Sequence, residues 1–196
     1  MRVLIACEYS GTVRDAFIAM GHDAISCDLL PTDKPGPHYQ GDVFDIINDG
    51  FDLMIAHPPC TYLSNAGARH LYKGGEGKLN LERYETGMQA KAFFMALYNS
   101  GIPRIAIENP IPSRVFELPP YAQIIQPWMF GHPYQKRTCL WLKNLPALQA
   151  TDIVSERQSS KVPVNWFNKG GKDRQHERAR TFQGIANAMA EQWGNP

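Results

Sequence analysis

The chain has 196 residues, of which 43% are apolar and 20% charged, and its formal net charge is +1. That length suits one well-packed domain spanning 1–196 and is short for two, and the near-neutral charge gives no overall electrostatic footprint of a nucleic-acid binder. No run of about 18 apolar residues occurs and no basic, apolar leader precedes "MRVLIAC", so the sequence reads as a soluble cytoplasmic protein with no membrane partner.

In chain order, "RVLIAC" is a short β-branched apolar run, "GTVRDAFIAMG" has helical spacing closed by Gly21, and "DAISCD" is a second strand ending in Asp28. Together they predict a β-α-β unit of a parallel sheet. A turn-rich stretch, "LLPTDKPGPHYQGD", leads through "VFDII" to a further strand, "FDLMIAH". The glycine-rich "NAGARHLYKGGEGKLN" has no apolar period and reads as a long loop of functional character. Glu82 to Ser100 reads as a helix with Met88, Ala92, Met95 and Ala96 on one face, ended by Gly101 and Pro103. "RIAIEN" is a clear strand, and "QPWMFG" and "KRTCLWL" read as a hairpin joined by "HPYQ". Phe182, Ile185, Ala186, Met189, Ala190 and Trp193 mark the buried face of a last helix. The fold class predicted is α/β, a mostly parallel Rossmann-like sheet with an antiparallel hairpin towards the C-terminus.

Cys7, Cys27, Cys60 and Cys139 are widely spaced and form no C-x-x-C pair, so neither a disulfide framework nor a zinc site is expected. His57 and Cys60 lie three apart without a second ligand pair, and no metal is expected. From Arg157 to Arg180 basic residues outnumber acidic ones, which fits either a solvated loop or a phosphate-facing surface.

Ligands of open α/β sheets bind at the carboxyl ends of the strands, close to the point where strand order reverses. Here those ends are "CEYSG", "CDLLP", "AHPPCTYLS" and "IENPIP", and all four place polar or reactive residues directly after the apolar run. The first loop lacks G-x-G-x-x-G, which argues against a dinucleotide. Asp28 is placed either to accept ribose hydroxyls or to cap a turn. Cys60 and Glu108 are the more informative pair. A thiolate attacks an electron-poor ring carbon while a glutamic acid held protonated beside it donates to a ring nitrogen, which suits covalent activation of a pyrimidine.

At these positions the chain resembles the DNA cytosine-5 methyltransferases, S-adenosylmethionine-dependent enzymes built on a class I Rossmann-like sheet. "CEYSG" resembles the family's D-x-F-x-G loop, "GDV" its adenine-contacting segment, "PPCTYLS" its P-C-Q nucleophile loop, "ENP" its E-N-V segment and "QKRT" its Q-x-R-x-R strand. The resemblance implies that Cys60 attacks C6 of a flipped cytosine, Glu108 engages N3, Asn109 holds the loop, and Arg137 orients the base or steadies the Cys60 loop. It implies that Tyr9, Ser10, Gly11, Asp28, Asp42 and Pro58 hold S-adenosylmethionine, and that Pro59, Ser64, Gln135, Lys136, Lys172 and Arg174 face the substrate, DNA. Thr61, Pro110 and Cys139 depart from the family pattern, and residues 143–175 form a reduced, basic insertion too short for the family's large target-recognition region. Little material is left for reading base edges, so sequence specificity is slight or supplied by a partner protein. Two alternatives stay open: C5 modification of a free pyrimidine nucleotide, with basic residues holding one phosphate, and a non-catalytic homologue that binds cofactor or nucleic acid.

Overall fold

The computed structural model describes residues 1–68, 70–73, 77–158 and 179–195. Among the described residues, seven strands form one sheet in the order β3-β2-β1-β4-β7-β9-β8, and β5 (Tyr72–Lys73) and β6 (Lys78–Leu79) form a separate two-stranded ribbon. In the large sheet β1 is Arg2–Ala6, β2 Asp23–Asp28, β3 His38–Gln40, β4 Leu53–Ala56, β7 Arg104–Pro110, β8 Gln123–Ile125 and β9 Thr138–Lys143. β9 runs antiparallel to both β7 and β8, and the pairings among β1, β2, β3, β4 and β7 are all parallel. This is the mixed, mostly parallel Rossmann-like α/β sheet that the sequence predicts. Strand order reverses between β1 and β4.

The central strands are continuous apolar runs because both of their faces are covered. Val3 and Ile5 of β1 join Leu53 and Ile55 of β4 beneath α1 (Thr12–Ala19) and α4 (Gln183–Trp193), together with Phe17, Met189 and Trp193. Leu4, Ala6, Met54 and Ala56 point the other way, into a cluster with Phe94 and Leu97 of α3 (Leu81–Tyr98) and with Trp141. All six residues of the predicted α4 stripe are buried.

α1 begins after Gly11, whose φ of 68° suits glycine, and the carboxylate of Glu8 accepts from the amides of Val13 (2.8 Å) and Arg14 (3.2 Å). α3 starts where Asn80 accepts from the Arg83 amide at 3.3 Å. Its predicted apolar face is turned outward: Met88, Ala92 and Ala96 are exposed, and Gly87, Phe94 and Leu97 are buried instead. Larger rings decide the helix rotation, since Phe94 meets Trp141 edge-on at 5.1 Å and Gly87 lets Phe116 approach the helix closely. The hairpin also differs from expectation. "QPWMFG" is not a strand, because Pro127 opens a 3₁₀ turn over Pro127–Met129, and the strand pairing with β9 is the three-residue β8 before it. A short α2 (Asn65–Ala68) lies in the loop after β4.

Candidate active site

The carboxyl ends of β1, β2 and β4 surround a cavity of about 220 Å³ lined by Cys7, Cys27, Asp28, Leu29, Asp42, Val43, Pro59 and Phe93. Its walls are apolar, and its two carboxylates are each fixed by a backbone amide: Asp28 accepts from Leu30 (2.9 Å) and Asp42 from Phe44 (3.0 Å). Cys7 stands at the end of β1 in a left-handed conformation with φ 59°, a strained backbone for a non-glycine residue. Burial, and then the charge of Asp28, push its thiol far above the ordinary range. The same causes, with Asp42 and Asp45 added, raise Cys27 to about 12. Both thiols are therefore neutral and behave as small apolar surface.

Cys7 also borders a second, smaller cavity of about 40 Å³, together with Glu8, Tyr9, Ser10, His57, Ala179, Arg180 and Thr181. Ser10 donates to the buried Glu8 carboxylate at 3.0 Å, so Ser10 and Gly11 serve the cap of α1. Arg180 closes one side by an ion pair with Asp33 at 2.6 Å. The Asp33 amide in turn donates to the Tyr9 carbonyl at 2.8 Å.

At the neighbouring ends of β4 and β7 the parallel register pairs Ala56 with Ile107, and the residues just beyond continue side by side. His57 Nδ1 lies 2.8 Å from Glu108 Oε2, and Asn109 Nδ2 donates to the Pro58 carbonyl at 3.0 Å. The buried Asn109 thus clamps the segment that leads to Cys60. Thr181 donates to Glu108 at 3.3 Å. Burial alone would raise the Glu108 carboxyl, but the hydrogen bond and charge of His57, with Lys136 and Thr181, hold it down at about 2. Burial would lower His57, and Glu108, helped by Glu8 and opposed by Lys136, raises it instead. Each group of the pair thus favours the charged form of the other, Glu108 drawn down by His57 and His57 drawn up by Glu108.

Cys60 is half-buried at the head of the next turn, where its carbonyl accepts from the Ser64 amide at 3.1 Å. Arg83 of α3 donates to the carbonyls of Thr61 (3.3 Å) and Gly67 (3.1 Å) and lies over the Tyr62 ring at 4.8 Å, fastening this turn from behind. Arg137, expected to orient the base or to steady the Cys60 loop, is exposed on the segment before β9. Pro59, expected on the substrate side, lines the larger cavity, and Pro58, expected at the cofactor, is buried. Ser64 is buried behind the loop, accepting from the Gly67 amide at 3.2 Å. Gln135 is exposed and donates to the Gln158 carbonyl at 3.1 Å, and Lys136 is half-buried within electrostatic reach of Glu108. Lys172 and Arg174 lie outside the described residues, as does the part of the 143–175 insertion beyond residue 158.

Sequence reasoning did not single out Glu8, Phe93, Arg83 or Thr181, and it weighed His57 only as a metal ligand. His57 had a usable signal: "AHPP" and "IENP" leave their strands at the same offset, so parallel neighbours at those ends bring His57 to Glu108. Thr181 had none, being brought in by the return of α4 across the sheet.

No protein-family model matches the chain, and no curated relative matches it. Among solved structures, a chain described as a DNA modification methyltransferase encoded within a prophage of E. coli has a TM-score of 0.46 and 14% identity, covering 79% of this chain and 52% of that one. A methyltransferase of Entamoeba histolytica has a TM-score of 0.48 and 12% identity, covering 88% of this chain and 61% of that one. The present chain therefore spans between about half and three-fifths of the length of these neighbours.

Proposed function

We propose that the chain transfers a methyl group from S-adenosylmethionine to C5 of cytosine in DNA, through a transient bond between Cys60 and C6 of the base. The observation that carries this reading is the junction of β4 and β7, where a half-buried cysteine, an asparagine clamp and the hydrogen-bonded Glu108–His57 pair meet beside a cavity of about 220 Å³.

The cavity chemistry favours a cofactor without phosphate. The N-terminus of α1, the usual phosphate seat of a Rossmann-like sheet, is already filled by the Glu8 carboxylate, and Asp28 and Asp42 add negative charge nearby. An adenosine carrying a sulfonium cation fits that charge, with Asp28 and Asp42 as acceptors for its hydroxyl and amino donors and Val43, Leu29 and Phe93 as apolar walls. S-adenosylmethionine supplies an electrophilic methyl group when bound. Cys60 as thiolate adds to C6, the displaced π electrons run through C5 towards N3, and Glu108 stabilises N3 as it gains a proton. The C5 carbanion equivalent takes the methyl group. Loss of the C5 proton to solvent then expels Cys60 and restores the aromatic ring.

The test is nucleoside mass spectrometry after incubation with isotope-labelled S-adenosylmethionine and, in separate arms, duplex DNA, single-stranded DNA and deoxycytidine monophosphate. Labelled 5-methylcytosine in DNA is expected. Label only in the mononucleotide makes a free pyrimidine nucleotide the substrate, and cofactor binding with no label in any arm makes the chain a binding protein. Asp28→Asn is expected to weaken binding of S-adenosylhomocysteine by about 10- to 100-fold in calorimetry, the loss of a charge-assisted hydrogen bond. An unchanged affinity removes Asp28 from the cofactor site.

A further inference from the structure

His57 has no part in the scheme above, yet it is the closest partner of the group that engages the base. Its Nδ1 holds Glu108 at 2.8 Å, and its Nε2, buried at the wall of the smaller cavity, has no hydrogen-bond partner among the described residues. The charged groups facing it come from separate elements: Glu108 from β7, Glu8 from the loop after β1, and Lys136 from the segment before β9. Arg180 and the Cys7 thiol share its cavity wall, and the Thr181 hydroxyl bonds Glu108 from the approach to α4. In this arrangement His57 Nδ1 and Glu108 Oε2 share one proton across 2.8 Å, and the mutual shifts of the two groups favour its residence on the imidazole.

We propose that His57 is a positioning residue that stores the proton Glu108 delivers to the ring nitrogen of the base. The inference rests on the cytosine reading above. As Cys60 bonds to C6, the electron pair pushed onto N3 takes a proton from Glu108, and Glu108 takes the Nδ1 proton of His57, leaving neutral imidazole. When the C5 proton departs and the C6–S bond breaks, the N3 proton returns by the same route, so His57 ends protonated and no external acid is consumed. Activity then follows the protonated fraction of His57 and falls as pH rises through its titration.

Two measurements on the full chain test this. The first reads ring-nitrogen chemical shifts of ¹⁵N-labelled histidine against pH, with His57→Gln for assignment. His57 is expected to be doubly protonated at pH 7 in the wild type and neutral there in Glu108→Gln. The second follows labelled methyl transfer against pH in the wild type and in His57→Gln. The wild-type alkaline limb is expected to coincide with the nitrogen-detected titration. In the variant kcat at neutral pH falls on the order of 10²-fold and that limb moves, with KM for DNA and cofactor little changed. A neutral His57 at pH 7, or a wild-type limb unrelated to its titration, overturns the proposal even if His57→Gln does not fold. An unmoved limb in a folded variant does the same. Wild-type protein that labels no cytosine while His57 titrates high overturns the cytosine reading, and with it the proton delivery; label with a neutral His57 overturns the delivery alone.

Discussion

Replacing Cys60 by alanine is expected to lower methyl transfer by at least about 10⁴-fold, because without the C6 adduct the ring carbon C5 is not nucleophilic enough to take a methyl group. Cofactor affinity should hold, since Cys60 is not among the residues around the larger cavity. No other thiol substitutes. Cys7, Cys27 and Cys139 are all pushed up by burial, Cys139 to about 11, and Cys27 and Cys139 are inside the core. A second measurement isolates the bond itself. In DNA containing 5-fluorocytosine the C5 substituent cannot leave as a cation, so the wild type should remain attached to its substrate and run as a covalent complex in denaturing gels. Cys60→Ala should give no such complex. Methyl transfer by that variant at the wild-type rate would end the covalent mechanism.

Arg14→Met is expected to lower the unfolding free energy by about 3–5 kcal/mol, which for a chain of this size is a Tm shift on the order of 10 °C. Arg14 is fully buried. Its Nε donates to Asp15 at 2.8 Å, Nη1 to the hydroxyls of Ser26 and Thr32 at 3.2 Å, and Nη2 to the carbonyls of Lys34 and Pro35 at 3.2 Å. Methionine fills the stem volume but removes every guanidinium donor; Ser26 keeps its bond to His38 and the Lys34 carbonyl its bond from Thr32, so the cost comes from the oxygens left short of a donor rather than from a cavity. Lysine should recover little, because a single ammonium cannot reach acceptors arranged around a planar guanidinium. Gly11 and Gly36 are part of the same device: a Cβ at either would overlap the guanidinium. The variant should also weaken cofactor binding, because the proline-rich loop held by Arg14 runs on from Leu29 in the cavity wall. Thermal unfolding monitored by circular dichroism checks the first effect, and an unchanged Tm would show that the loop is held by other contacts.

β1, β2, β4, β7 and β9, with α1 and α4, were legible because their signals are local, whereas β3 lay in a stretch read as turns and β5 and β6 in one read as a loop. β1 and β4 are unbroken apolar runs, and the stripe from Phe182 to Trp193 is long enough to fix one helix face. Asp28 was singled out by its place at a strand end, and Asp42 and Asn109 by the resemblance alone; Asp28 and Asp42 line the larger cavity, and Asn109 bonds the Pro58 carbonyl. What failed depended on tertiary packing. Met88 and Ala92 form as good an apolar stripe as Gly87 and Phe94 until Trp141 and Phe116 supply a surface for the aromatic side. "QPWMFG" has strand composition, and only the backbone fixed by Pro127 turns it into a 3₁₀ turn. At the site, Glu108 was read as a proton donor from the chemistry that attack on a pyrimidine ring requires. Its state is set by a histidine 51 positions away in sequence, brought alongside by strand register.

The return of α4 onto α1 has a consequence for the making of the protein. Val3, Ile5, Leu53 and Ile55 are shielded on one face by the stripe from Phe182 to Trp193, which is synthesised long after the strands themselves. With a chain emerging at about 5–20 residues per second, that face waits on the order of ten seconds for its cover. Until then α1 alone covers it, and apolar surface stays open to other chains. A polypeptide cut before Phe182 is expected to aggregate rather than to form a smaller domain.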